Sequence, residues 1–277
     1  MHPFDQAIAL SPAGSSAPDT WLGKTSPAYW NMVGPFGGST AATALQAVLK
    51  HPALLGEPLA LTVNYAAATS EGLFSITATP VRTNRSTQHW VISLSQRDGQ
   101  GQEQVTITAT AMTALRRDTW QQNDIPMPEM PKPQDVARAD MSANMEWMSR
   151  YEMRFVRGLM PVDWNGADKL SPDSVTQIWV RDDVPRSLDF ASITAMADVF
   201  YPRVWLRRAL RVPAGTVSMT TYFHASAEQL RDVGTGYVFA QAQAQSFRHG
   251  FFDQYAQLWS ESGTLLVTSH QLAYFKE

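Results

Sequence analysis

The stretch GPFGGSTAATALQAVL, from Gly34 to Leu49, consists mainly of small residues with apolar side chains at helical spacing. A stretch of the same kind, SLDFASITAMADVFYPRVW from Ser187 to Trp205, lies in the second half of the chain. Both patterns are typical of a helix, and their glycines and alanines allow such a helix to lie close to a neighbouring sheet. We predict two helices, over Gly38–Lys50 and from the capping residue Asp189 to about Tyr201.

Alternating stretches follow the first helix. Apolar and small polar residues alternate in Leu73–Val81, His89–Gln96 and Gln104–Met112, as expected for strands with one buried face. The turn DGQGQE at residues 98–103 separates the last two stretches, and SESG at residues 260–263 has the same place in the second half. Each turn therefore predicts an antiparallel hairpin, and each half reads as one helix followed by about four strands.

The two halves read as a duplication in which only the second carries polar residues suited to chemistry. Setting Tyr65 against Tyr222 aligns the strands that follow the helices, and the alignment of the helices makes Leu45 correspond to Asp198. Small residues on a helix that precedes a strongly bent antiparallel sheet indicate a helix wrapped by that sheet. We predict an α+β double hotdog, which is two tandem repeats that each wrap a small-residue-rich helix in a curved antiparallel β-sheet.

A change of composition marks the boundary between the halves. Between Arg116 and about Ala143 the sequence RRDTWQQNDIPMPEMPKPQDVARADMSA contains four prolines, which exclude a continuous helix or a central strand. Such a segment favours a stiff, extended connection. We therefore predict an N-terminal repeat at residues 1–115, a linker at 116–143, and a C-terminal repeat at 144–277 that carries the catalytic residues.

The overall composition limits the classes of function. The chain has 277 residues, 44% apolar and 17% charged, and can bury a large core. Its net charge of −3 gives no basic field for nucleic acid. No apolar run is long enough to insert into a membrane and the first residues lack a leader pattern, so we expect a cytoplasmic protein. Cysteine is absent and the six histidines lack metal-ligand spacing, so we expect neither a metal nor a cofactor.

Beyond these patterns, the sequence resembles the type II acyl-CoA thioesterases over nearly its whole length. The motifs that carry the resemblance, the last three being the most specific, are GPFGGSTAATALQA, PVRTNRSTQHWVISLSQ, LDFASITAMADVFYPRVW, GTVSMTTYFHA and FDQYAQLWSESGTLLVTSHQ. The resemblance implies an enzyme of fatty acid metabolism that hydrolyses acyl-CoA to free fatty acid and CoA. Because single hotdogs commonly pair through their sheets, we also expect a homodimer or a higher homo-oligomer.

The resemblance also implies three catalytic residues. Hydrolases of this family hold a water molecule with an Asp, a Thr or Ser, and a Gln, and the matching motifs place these at Asp198 in the second helix, Thr216 and Gln271. A thioester carbonyl is electrophilic enough for an oriented water to attack it directly. Asp198 would take the proton of that water, most effectively if burial raises its pKa, while Thr216 and Gln271 fix the water by hydrogen bonds.

Each of these residues also has a structural alternative. Asp198 could pair with Arg203, Arg207 or Arg208, whereas Thr216 and Gln271 could be ordinary strand residues. The agreement with three separate motifs favours the catalytic interpretation.

The first half cannot assemble the same group. It offers Leu45, an apolar stretch around Leu59, and alanine or threonine around Ala111 at the three aligned places. We therefore expect the first half to supply the wall of a site made by the second. There, Gly37 and Gly38 either let a ligand approach closely or form a tight turn into the helix.

The substrate would need an apolar tunnel for its acyl chain and cations for its phosphates. Arg82 and Arg85 are the first candidates for the phosphates, followed by the arginines Arg203, Arg207, Arg208 and Arg211. Two other functions on this fold stay open, namely a non-catalytic acyl-CoA-binding or regulatory protein and a hydratase or dehydratase. The last would need a histidine paired with an acid near a helix, and neither predicted helix contains a histidine.

Overall fold

The computed structural model describes residues 1–161, 164 and 171–277. The helices of this part of the chain are α1 (Pro3–Ala7), α2 (Gly37–Leu49), α3 (Phe190–Met196), α4 (Arg203–Arg208) and α5 (Ala227–Val233). Its strands are β1 (Ser11–Pro12), β2 (Thr20–Lys24), β3 (Glu57–Tyr65), β4 (Leu73–Thr83), β5 (Thr87–Arg97), β6 (Glu103–Ala114), β7 (Tyr151–Arg157), β8 (Thr176–Asp182), β9 (Ala214–Phe223), β10 (Val238–Gln243), β11 (Phe247–Arg248), β12 (Phe251–Ser260) and β13 (Leu265–Phe275). Among the described residues, no helix is long and apolar enough to span a membrane.

The strands form one antiparallel sheet that runs through both halves, in the order β1-β2-β4-β5-β6-β3-β9-β13-β12-β10-β8-β7, with the short β11 paired to β12. The order β2-β4-β5-β6-β3 of the first half recurs in the second as β8-β10-β12-β13-β9. The halves join where β3 pairs with β9, and the hydroxyls of Thr62 and Thr220 lie 3.0 Å apart at this joint. The duplication and the double hotdog are therefore confirmed, and both predicted hairpins, β5–β6 and β12–β13, are present.

The helices differ from the prediction at their ends. Asp189 caps α3 as expected, because its carboxylate accepts from the Ser192 amide at 2.8 Å. The helix nevertheless ends at Met196, and the Asp198 amide bonds to the carbonyl of Ala195, three residues earlier. Such bonds tighten and terminate the last turn of a helix. The expectation that Asp198 lies within the second helix is therefore wrong, since it occupies the turn that follows.

The alignment of Tyr65 with Tyr222 is also wrong, by one residue. Each central strand contains a bulge, at Leu59 in β3 and at Val217 in β9, and superposing the bulges sets Tyr65 against Phe223. A slip of one residue moves a strand side chain to the other face of the sheet. Tyr65 accordingly contacts the interior, whereas Tyr222 is 51% exposed on the outer face.

The same superposition shows which first-half residues correspond to the predicted catalytic residues of the second half. Thr216 now has Pro58 as its counterpart rather than Leu59, because both lie one residue before a bulge. Gln271 keeps Ala111 as its counterpart, in agreement with the prediction.

Two apolar layers cover the sheet. On its inner face, α2 and α3 pack against each other and against the strands in the main core. On the outer face of the second half, a smaller cluster forms around Trp179, Phe239 and Trp259. Residues 115–132, which contain neither helix nor strand, cross the surface there, and Met127 and Met130 pack onto the cluster.

Candidate active site

The three residues that the sequence predicts to be catalytic meet at one cavity of about 180 Å³. Asp198 follows α3, Thr216 lies near the start of β9, and Gln271 lies on the adjacent strand β13. Gln271 joins the other two, because its Nε2 donates to Oδ1 of Asp198 at 2.8 Å and its Oε1 accepts from Oγ1 of Thr216 at 3.2 Å. The trio is therefore one hydrogen-bonded group with the amide of Gln271 in the middle.

Asp198 is 8% exposed, and its carboxylate accepts a hydrogen bond from Nε2 of Gln271, while the nearby backbone N–H of Gly38 also favours its charged form. Burial disfavours the charged carboxylate, and these two interactions compensate for only part of that cost. The pKa of Asp198 is consequently raised from 3.8 to about 7. A carboxyl group with such a pKa is divided between base and acid near neutral pH, as a proton-transferring group requires.

The structural alternative for Asp198 finds no support in the described part of the chain. Arg203 is fully buried, and its guanidinium donates to the carbonyl of Tyr201 and to Oγ1 of Thr176. Arg208 pairs with Glu277. No ion pair involving Asp198 occurs among the described residues.

Gly37 and Gly38 let the two helices bring Asp198 into place. A Cβ on Gly37 would lie 2.8 Å from Oδ2 of Asp198, and one on Gly38 would lie 2.6 Å from the carbonyl oxygen of Ala195. Both distances are shorter than an ordinary carbon–oxygen contact. The two predicted glycines therefore lie at the site, where they accommodate the Asp198 carboxylate and the turn that carries it.

Tyr65 is a site residue that the sequence analysis missed. Its hydroxyl lines the cavity and donates to the carbonyl oxygen of Gly37 at 2.9 Å. Burial and the nearby charge of Asp198 raise its pKa well above 10, so the phenol stays neutral. The alignment with Tyr222, which is wrong by one residue, hid this residue because it matched Tyr65 to a side chain on the outer face of the sheet.

The remaining wall of the cavity is apolar and aromatic. The rings of Phe36 and Trp147 stack at 4.1 Å between centroids and form one side. The other large apolar side chains at the cavity are Met32, Met145, Met148, Phe200 and Phe252. Methionine and phenylalanine adapt well to an acyl chain, so the wall offers apolar surface beside the trio.

The place that the duplication relates to this cavity is filled by apolar side chains from both halves. Leu45 is fully buried at the position of the acid. Phe190 stands at the helix position of Gly37, and Phe223 at the strand position of Tyr65. The rings of Phe190 and Phe223 meet edge to face at 5.6 Å. The duplication thus yields one polar cavity and one packed apolar counterpart.

The candidate phosphate-binding arginines are not brought to this cavity. Arg82 and Arg85 lie at the β4–β5 turn, and neither lines the cavity. Following the strand pairing from Arg82 across β5 and β6 leads to Ala60 on β3, which lies five residues along that strand from Tyr65. Arg82 and the cavity residue Tyr65 are therefore roughly 20 Å apart across the sheet. Arg211 lies over the ring of Trp205 at 5.5 Å.

No group of three or more histidine, aspartate or glutamate side chains suited to a metal occurs among residues 1–161, 164 and 171–277. The arrangement can hold a water molecule between a basic carboxylate, a hydroxyl and an amide, next to an apolar wall. That combination suits attack of water on an acyl group.

Comparisons with known proteins identify the family of the chain. The family model described as the acyl-CoA thioesterase N-terminal domain matches residues 26–114, and the one described as the acyl-CoA thioesterase C-terminal domain matches residues 124–275. No curated protein matches the chain significantly.

Several solved structures match along the full chain. A conserved protein of unknown function with a hotdog fold from Alicyclobacillus acidocaldarius is 44% identical, with 100% of this chain and 99% of that chain covered and a TM-score of 0.91. A putative thioesterase II from Thermobifida fusca is 18% identical, with 100% and 98% covered and a TM-score of 0.82. A TesB protein from Mycobacterium avium subspecies paratuberculosis is 17% identical, with 99% and 98% covered and a TM-score of 0.76.

Proposed function

The chain belongs to the acyl-CoA thioesterase family, and on this premise we propose that it hydrolyses fatty acyl-CoA to free fatty acid and CoA through direct attack of a water molecule. The observation that carries the proposal is the hydrogen-bonded trio of Asp198, Gln271 and Thr216 at an apolar cavity.

Each member of the trio has a defined task in this reaction. Asp198 accepts the proton of the water while the water oxygen bonds to the thioester carbon and the carbonyl electrons move to the carbonyl oxygen. The carbon–sulfur bond then breaks, and the proton held by Asp198 passes to the departing thiolate. Thr216 has lone pairs free to accept from the water, because its own proton is donated to Gln271. Gln271 fixes both partners, which keeps the geometry of attack.

The start of α2 supports the negative charge that develops on the carbonyl oxygen. Gly37 is the first residue of this 13-residue helix and lines the cavity. The N-terminal end of a helix carries a partial positive charge and unpaired amides. An oxyanion next to Gly37 is therefore stabilised without a charged side chain.

A hydratase or dehydratase reaction receives no support from the cavity. Its described lining contains Asp198 but no histidine that could pair with an acid.

A thiol-release assay over short, medium and long acyl-CoA substrates tests the proposal. We expect wild-type protein to release CoA thiol and Asp198→Asn to lose at least about 100-fold in kcat, the usual contribution of a general base. Asp124→Asn, at an exposed position of the linker, is the matched control and should keep wild-type activity. Full activity of Asp198→Asn would refute the mechanism. Binding of acyl-CoA without thiol release by the wild type would favour a non-catalytic binding protein.

A further inference from the structure

Gln254 on β12 is a buried polar residue that the proposed mechanism does not use. It is 3% exposed and lines the cavity. It lies directly opposite Gln271 in the β12–β13 ladder, so the two side chains project from the same face of the sheet. Unlike Gln271, its carboxamide makes no hydrogen bond to any described residue, and its nitrogen and oxygen atoms are open to the cavity.

Polar groups of native structures are paired with protein, with water or with a ligand. Because the amide of Gln254 is open to the cavity and is not committed to the protein, it can pair with a group of the substrate that enters the cavity. The two N–H donors of Gln254 require an acceptor, and the acceptor atom of a thioester is its carbonyl oxygen.

The hydroxyl donors at the cavity are already committed. Thr216 donates to Gln271, while Tyr65 and Tyr201 donate to backbone carbonyl oxygens. Asn31 also lines the cavity, but it is partly exposed to solvent, so water can satisfy its amide. Among the described side chains at the cavity, Gln254 is thus a buried residue whose N–H groups face the cavity and are not committed to the protein.

We propose that the carboxamide of Gln254 donates a hydrogen bond to the carbonyl oxygen of the bound thioester, in addition to the support from the start of α2. This inference rests on the proposed hydrolysis. When water adds to the thioester carbon, the carbonyl oxygen becomes negatively charged and the bond from Gln254 strengthens. Because the gain is larger in the transition state than in the bound substrate, the contact acts on kcat more than on KM.

Gln254→Met tests the contact, because methionine has nearly the same shape and no N–H donor. We expect kcat to fall by on the order of 100-fold, as for loss of one oxyanion donor, with KM changed less than about threefold. Gln257→Met is the matched control, since Gln257 lies on the same strand with its side chain on the opposite face. It should retain wild-type kcat.

Thermal unfolding separates this role from a structural one. Since the amide of Gln254 has no partner in the described protein, Gln254→Met should unfold at the same temperature as the wild type or above it. A fall in kcat accompanied by a fall in unfolding temperature would assign Gln254 to the fold and overturn the proposal. Unchanged kcat would overturn it as well.

Infrared spectroscopy of a bound acyl-CoA, ¹³C-labelled at the thioester carbonyl, keeps the two proposals distinguishable. In the Asp198→Asn background the carbonyl band should lie at lower wavenumber than in water-free solvent, and it should move up again in Asp198→Asn/Gln254→Met. This shift requires binding and not turnover, so it holds even if the wild type releases no thiol. A band that is identical in the two variants would refute the contact while leaving the hydrolysis proposal standing.

Discussion

Replacement of Asp198 by asparagine should stabilise the protein while it removes activity. Burial raises the pKa of this carboxyl group from 3.8 to about 7, so the folded chain holds the proton more tightly than the unfolded chain does. A group of this kind contributes its full stability at low pH. The contribution falls as pH rises from about 4 to about 7 and is absent above that range.

The magnitude follows from the shift. A difference of about three pKa units, at 1.4 kcal/mol each, makes the ionised Asp198 cost about 4 kcal/mol of folding free energy above pH 7. Asparagine carries no charge, and its oxygen can still accept from Nε2 of Gln271. The free energy of unfolding of Asp198→Asn should therefore exceed that of the wild type by about 4 kcal/mol at pH 8 and by close to zero at pH 4.

Urea unfolding of both proteins at pH 4, 5, 6, 7 and 8 measures this difference. It should grow by about 1.4 kcal/mol for each pH unit between 4 and 7 and stay constant above pH 7. Asp124→Asn, in the exposed linker, should show no such trend. A difference that is the same at pH 5 and pH 8 would show that Asp198 is not a buried group with a raised pKa, and the reasoning about the base would be refuted with it.

Two further predictions concern activity. The value of kcat/KM should rise about tenfold per pH unit below pH 7 and level off above pH 7, because only ionised Asp198 accepts the proton. A flat profile between pH 5 and 8 would exclude Asp198 as the base. Gly37→Ala should lower kcat at least about tenfold, because its Cβ would lie 2.8 Å from Oδ2 of Asp198 and displace the carboxylate. The control Gly99→Ala, in an open turn, should leave kcat unchanged. Equal kcat values for the two variants would contradict the tight fit at Gly37.

The repeated sheet is the part of the fold that sequence patterns capture well. Alternation over β4, β5 and β6 follows from one buried face, and the turns between β5 and β6 and between β12 and β13 have the residues that hairpins need. The strand before each helix was not predicted. In β8, the run TQIWVRD buries residues on both faces, so it lacks a regular alternation.

The candidate site was predicted only for residues that lie in distinctive motifs. Asp198, Thr216 and Gln271 lie in such motifs, and the structure brings them together at one cavity. Tyr65 and Gln254 were missed for a physical reason. The one-residue error in aligning β3 with β9 matched Tyr65 to the exposed Tyr222, and the polarity of Gln254 does not reveal which face of β12 it occupies.

Both halves contribute residues to the candidate site, so the first half is more than a scaffold for a catalytic second half. The second half carries the acid but has Phe190 where a glycine would be needed, while the first half carries Gly37 but has Leu45 in place of the acid. The Asp198 carboxylate needs the space above Gly37 and the N–H of Gly38, and both belong to the first half. Each half therefore lacks one component of the site, and the continuous β3–β9 joint is what makes one complete site from the two.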